Sequence, residues 1–265
     1  MMYRIRRERP FDYGYNPITS HDEQENNTLM DFGILKLKSG QIETSAESKE
    51  RAYLLISGRV LLEWQGKTQE VARQSFLEEN PWVLHVPQGV EVKITGIGPD
   101  SEVCVIKTLN NEDFEPKLYS PADCACEDRG KGSMQETSTR VVRTVFDYSN
   151  APYSRLVLGE VVNYPGKWSS YPPHHHLQPE IYFYKFYPEH GYGFAQLGEE
   201  VLKVKHNDTI KILDNVSHPQ VAAPGYAMFY VWVIRQLDNN PYITPVFEPE
   251  HLWVMEKDAK IWPDK

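Results

Sequence analysis

The chain has 265 residues, a formal net charge of −9, 40% hydrophobic and 25% charged residues. That length allows one large β domain or two small ones around a sizeable core. The acidic balance argues against a broad basic nucleic-acid surface, and no apolar run approaches the roughly 18 residues of a membrane span.

Aromatic residues make up 12% of the chain, with sixteen Tyr, nineteen Pro and sixteen Gly. Aromatics among many turn formers favour strands over helices. The three cysteines, Cys104, Cys124 and Cys126, include no CxxC pair, so free thiols in a reducing compartment are expected. The N-terminus has no apolar h-region, which points to a cytoplasmic protein.

Residues 1–30 read as polar and irregular, with Asn16-Pro17 and Thr19-Ser20 as turn material. The interrupted basic run Arg4, Arg6, Arg7, Arg9 reads as local pairing rather than a phosphate site. Residues 32–40 alternate apolar and polar, as a half-buried strand does. Residues 51–64 read as two strands around Ser57-Gly58. WVLHVPQGVEVKITG reads as strand, turn and strand, and EVCVIKTL closes this half. Residues 110–137 turn polar and charged, as a crossing segment does, with Phe114 and Tyr119 available to pin it down.

The second half repeats this grammar. VVRTVFDY, SRLVLGEVVNYPGKW, IYFYKFY, GYGFAQL, VLKVK, TIKIL and AMFYVWVIRQL read as strands, with Asn207-Asp208 as a turn. The expected division is residues 1–115, a crossing segment 116–140, and residues 141–265. The layout around HVPQGVEVKI resembles that around ILDNVSHPQV, with Glu91 falling where His218 does, but the first half has no H-x-H. One metal site is therefore expected, in the second half.

That site centres on GKWSSYPPHHHLQPEIYFYKFY. His174 and His176 are two residues apart, so an extended chain puts both imidazoles on one side and His175 on the other. Glu180 follows, and His218 is a fourth candidate ligand. Such a set suits a divalent cation with open positions: zinc fits, and manganese or iron fits nearly as well. From Glu180 onward, Glu180, Tyr182, Tyr184 and Phe186 share one face. Ile181, Phe183, Lys185 and Tyr187 share the other, which places Lys185 outside. Glu180 is a candidate ligand or base, and Tyr182 and Tyr184 are candidate proton donors. Trp168 and Tyr171 are candidate walls, and Arg235 is a candidate fork for a substrate carboxylate. His21, His85, His190, His206 and His251 lack partner spacing and read as core or surface histidines.

H-x-H-x(3)-E with a separated His resembles the cupin signature. GEVVNYPGKWSSYPPHHH, PEIYFYKF and APGYAMFYVWV, together with RAYLLISGRVLLEW and the RGKGS segment, resemble the 5-deoxy-glucuronate isomerase family of inositol catabolism, over about residues 29–254. The resemblance implies an all-β bicupin of two double-stranded β-helix barrels, the C-terminal one binding metal and the N-terminal one without metal ligands. It implies His174, His176, Glu180 and His218 as ligands, and interconversion of 5-deoxy-glucuronate and 5-dehydro-2-deoxy-gluconate. It points to a small sugar-acid substrate, with no nucleic-acid or membrane partner. Exposed strand edges make a homo-oligomer plausible. Three other functions fit a cupin with this ligand set: a uronate isomerase acting on a 5-keto-4-deoxyuronate, a dioxygenase, and a non-catalytic sugar-binding protein.

Overall fold

A computed structural model describes residues 3–263 and is built almost entirely of β-strands. The chain divides into two compact units. One takes residues 8–124 and 145–157; the other takes the residues up to Arg7, then 125–144 and everything from Leu158 on. The partition is thus less sequential than the expected cut at residues 115 and 141. The amino-terminal stretch belongs with the second half, and residues 145–157 belong with the first.

In the first unit, residues 50–64 form one strand, Glu50–Trp64, instead of two. A register shift between Leu55 and Ser57 bends it without ending it. Its first part pairs with Val83–Val86 and Asp100–Thr108, and its second with Lys67–Arg73 and Val92–Gly96. Gly58 makes this change of partners feasible. Its φ is +97°, and a Cβ there would lie 2.5 Å from the Asp100 carbonyl oxygen.

Residues 14–19 are also stranded, contrary to the turn reading. Gly14–Thr19 pairs with Asp31–Lys38 at the edge of its sheet, where Pro17 lacks a donor at no cost to an inner ladder. The segment after residue 110 is anchored as expected: Phe114 stacks on His85 and Tyr153 at 4.6 Å, and Tyr119 is buried. It also contains ordered structure, in the strands Lys117–Tyr119 and Ala125–Arg129 and a 3-10 turn at Met134–Glu136.

The second unit is built on a seven-stranded and a four-stranded sheet. At the middle of the larger one, Glu180–Tyr187 lies between Thr209–Ile212 and Ala227–Arg235. The smaller sheet carries Trp168–Ser169, Gln220–Ala222, Tyr192–Leu197 and Glu200–Lys205. Their inner faces share one core, with Tyr182, Tyr184, Phe186, Met228 and Tyr230 from one sheet and Ala195, Leu197, Val204 and Ala222 from the other. Burying each large apolar side chain there contributes about 1.5–3 kcal/mol. The alternation predicted from Glu180 onward holds, because Tyr182, Tyr184 and Phe186 enter this core and Ile181 and Phe183 do not. Lys185 is on the opposite face as expected, but it is buried instead of exposed, with its Nζ 5.7 Å from the Phe183 ring centroid. The basic N-terminus pairs with side chains and carbonyls distant in sequence instead of locally: Arg6 binds Asp208 at 2.9 Å, and Arg4 donates to the Lys203 carbonyl.

Candidate metal centre

The sequence supplies three histidines whose roles the backbone then separates. His174–His175 forms a two-residue strand against Val246–Phe247. His176 follows it, and Pro179 stands before the strand that begins at Glu180. The Pro179 carbonyl accepts the Arg235 N–H at 2.8 Å, fixing the entry to that strand. His218 arrives from the loop before Gln220–Ala222, and its N–H donates to the His174 carbonyl at 3.3 Å.

One metal-ready group is found among the described residues: ligand atoms of His176, Glu180 and His218 lie within 4.8 Å of one another, and all three residues are buried. His174 adjoins this group, with its ring centroid 4.9 Å from that of His218. His175 turns away and pairs through Nδ1 with Asn215 Oδ1 at 2.8 Å.

The hydrogen bonds at the other ring nitrogens settle the tautomers. His174 Nδ1 meets the Pro172 carbonyl at 3.0 Å, His176 Nδ1 that of Gln178 at 2.9 Å, and His218 Nδ1 that of Val216 at 2.9 Å. A carbonyl only accepts, so each Nδ1 carries a hydrogen, and in the neutral form each ring keeps its lone pair at Nε2. Burial, helped by the neighbouring His218, pushes the His174 pKa down to about 3. Burial likewise lowers that of His218, against the pull of Glu180. His174 is therefore neutral in ordinary buffers.

Glu180 Oε2 lies 3.1 Å from His176 Nε2 and 3.4 Å from His218 Nε2. A carboxylate oxygen facing two imidazole lone pairs is repulsive unless a cation stands among them. His218 Nε2 is buried and has no hydrogen-bond partner. An orphaned nitrogen in that position is what an imidazole ligand looks like, and the donor set fits a divalent metal. His176, Glu180 and His218 are the residues gathered to hold it, the imidazoles through Nε2, with His174 at the border of the group.

Around the group, Tyr182 lies with its ring centroid 6.0 Å from that of His218, and its hydroxyl is 3.1 Å from Ser170 Oγ. Tyr184 donates to Gln220 Oε1. Burial pushes the pKa values of both well above the ordinary tyrosine value, and the Glu180 charge adds to this. Both hydroxyls therefore stay protonated. Trp168 and Tyr171 pack together at 5.7 Å. Arg235 directs Nη1 to the Gln236 carbonyl.

Other side chains complete the surroundings of the group. Tyr230 stands in register with Tyr184, its ring 4.5 Å from Tyr182, and its hydroxyl is 2.5 Å from Ser169 Oγ. Tyr242 and Phe247 place rings 4.9 Å from His176 and 5.4 Å from His174. Arg140 is buried and donates to Ser138. Tyr230 was recoverable from the alternation of the last long strand. Tyr242 and Phe247 lie in a stretch with no periodic signal.

Two β units, with a histidine–carboxylate cluster inside the second, define a bicupin, and solved structures share the fold. An IolB-like protein from Salmonella typhimurium LT2 superposes with a TM-score of 0.83 at 22% identity, covering 92% of this chain and 96% of that one. Lactobacillus farciminis oxalate decarboxylase superposes with a TM-score of 0.67 at 10% identity, covering 92% and 86%. The sequence model of the KduI/IolB family matches residues 5–254, and the chain belongs to that family. A 5-deoxy-glucuronate isomerase from Geobacillus kaustophilus is 27% identical over 246 residues, 85% of each chain.

Proposed function

We propose that this protein is an aldose–ketose isomerase that interconverts 5-deoxy-glucuronate and 5-dehydro-2-deoxy-gluconate, with a divalent cation held by His174, His176, Glu180 and His218. The isomerase activity is supported by the family match and by the relatives bearing that name. The cation is supported by one observation above the rest: His176 and His218, their Nδ1 atoms tied to backbone carbonyls, turn Nε2 toward the Glu180 carboxylate, and His174, tied in the same way, borders them. Zinc suits the set, with manganese or iron as alternatives. When bound, the cation polarises the substrate's carbonyl oxygen as a Lewis acid and stabilises negative charge that develops there.

The reaction removes a proton from the carbon beside the aldehyde and returns one to the former aldehyde carbon, while the hydroxyl proton moves to the other oxygen. Glu180 is the carboxylate of the group and the candidate for carrying the carbon-bound proton, worth about 10²–10⁴-fold. Tyr182, protonated and beside His218, serves as a hydrogen-bond donor to the oxygen that gains charge, and Tyr184 and Tyr230 hold the inner wall. Trp168 and Tyr171 flank the approach; Arg235, which the sequence offers for the carboxylate end, lies on the face of its strand opposite Met228 and Tyr230.

As such an isomerase the protein would act on a small sugar acid of inositol breakdown in the cytoplasm, and exposed strand edges would suit a homo-oligomer. No helix among the described residues is long and apolar enough to cross a membrane. The test is metal analysis of the purified protein together with proton NMR of turnover on 5-deoxy-glucuronate and, separately, on a 5-keto-4-deoxyuronate. Conversion of the first, lost on chelation and restored by metal, is the expected result. Turnover of the second alone would assign the protein to the uronate branch. Oxygen uptake without isomer would make it an oxygenase.

A further inference from the structure

Arg140 opens the strand Arg140–Phe146. Val142, two residues on, packs in the inner core with Tyr182, Tyr184 and Tyr230. Alternation along the strand gives Arg140 the same inward face, and it is only 4% exposed. A guanidinium stays charged in a protein, so burying one without a counter-charge costs several kcal/mol.

Its hydrogen bonds leave it undersupplied. Nη1 donates to the carbonyl and hydroxyl oxygens of Ser138 at 2.7 and 2.9 Å, and Nη2 makes one long contact of 3.4 Å with the Tyr171 carbonyl. Nε has no partner among the described residues, and no carboxylate pairs with the side chain. Arg51, buried in the other unit, shows what a structural arginine looks like. Its Nε donates to Lys49, its Nη1 to Ser45 and its Nη2 to Pro87 and Val90, so every nitrogen is engaged.

The underused edge of Arg140, Nε with Nη2, is the side that grips a carboxylate through two parallel hydrogen bonds. It lies at the metal centre's border: Tyr171, which Nη2 touches, stands three residues before His174. Arg129, cross-strand from Arg140, is already neutralised by Glu127 and so offers no competing site.

Building on the isomerase reading, we propose that Arg140 receives the carboxylate of the sugar acid and so selects an acid over the corresponding neutral sugar. The acid group would be the missing counter-ion, and the aldehyde end would then reach the histidine cluster.

The test compares metal-loaded wild type with R140Q and R140K on 5-deoxy-glucuronate and on 5-deoxy-glucose, its neutral counterpart with a hydroxymethyl group in place of the carboxylate. The expected result is that the ratio of kcat/KM for the acid over the neutral sugar falls about 100-fold in R140Q. R140K should recover part of it, because lysine restores charge but not the fork. Equal loss on both substrates would mean a merely structural arginine and overturn the proposal, as would a wild-type ratio in R140Q. Binding isotherms for gluconate and glucitol decide the matter independently of turnover. A preference for gluconate in wild type that disappears in R140Q supports the assignment even if neither sugar is isomerised, a result that would refute the isomerase reading alone. A preference retained in R140Q, or none in wild type, overturns it.

Discussion

The ligand assignment makes a graded prediction for His218→Ala against His174→Ala. His218 Nε2 is buried, partnerless and 3.4 Å from Glu180, within the mutually close group, whereas His174 stands at its border and is half-buried. Metal at about 100 times its dissociation constant stabilises the folded state by about 2.7 kcal/mol. At about 2–4 °C per kcal/mol for a chain of this size, that is a rise in Tm of about 5–11 °C on adding metal to the apoprotein. His218→Ala should abolish the rise and leave metal content near zero, with the apoprotein still folding cooperatively because the surrounding core is untouched. His174→Ala, which removes the proposed ligand at the edge of the group, should weaken affinity by more than the about 10–100-fold that losing a support outside the coordination sphere costs. The assay is scanning calorimetry with and without zinc, paired with elemental analysis. A His218→Ala protein that holds stoichiometric metal and keeps the full shift would refute the assignment.

Three further predictions concern other parts of the molecule. Tyr182→Phe removes the hydroxyl that meets Ser170 beside the centre; kcat should fall about 10²-fold with metal content unchanged, and an unchanged kcat would remove Tyr182 from the chemistry. Glu50→Gln should cost about 3–5 kcal/mol in urea unfolding, since the buried carboxylate accepts from His85, Asn110, Ser154 and the Arg155 N–H. Burial alone would raise the Glu50 pKa, but the His85 contact leads a set of hydrogen bonds that lower it overall. Its stabilisation is therefore present above the unfolded value of about 4.3 and is lost as pH falls through the depressed folded value. The acid loss of stability should be shallower in Glu50→Gln than in wild type. Gly58→Ala should destabilise by about 2–4 kcal/mol through a positive φ and the clash with Asp100 and Ser101, which thermal unfolding would measure.

Alternation was the most productive signal in the sequence. It separated His175 from its neighbours, gathered Tyr182 and Tyr184 beside Glu180, and put Lys185 on the other face. It could not say that this other face is covered, because burial of an outer face depends on what packs over it, and so Lys185 was misjudged. The same limit applies to residues 14–19 and 50–64. Pro17 and Gly58 are turn residues by composition, yet one sits harmlessly on a sheet edge and the other turns a strand toward new partners without ending it. Arg140 was invisible for a different reason. A single arginine in a strand reads as surface charge until its face and its missing counter-ion are known.

Alternation also explains why the first unit, which also holds a buried histidine and carboxylate, has no such site. His85 and Glu50 lie 2.7 Å apart and are both fully buried, much like His176 and Glu180. Their neighbours Leu84, Val86, Tyr53 and Leu55 point into the first unit's apolar core, so His85 and Glu50 face the opposite side of the sheet. There, Phe146 stacks on His85 at 4.4 Å, Phe114 and Tyr153 close over it, and four donors satisfy the carboxylate. In the second unit, the strand that begins at Glu180 turns Tyr182 and Tyr184 inward, and Glu180 on the same face meets imidazole lone pairs in place of hydrogen-bond donors. A shift of one residue in strand parity thus separates a carboxylate that ties a sheet together from one that is ready to hold a cation.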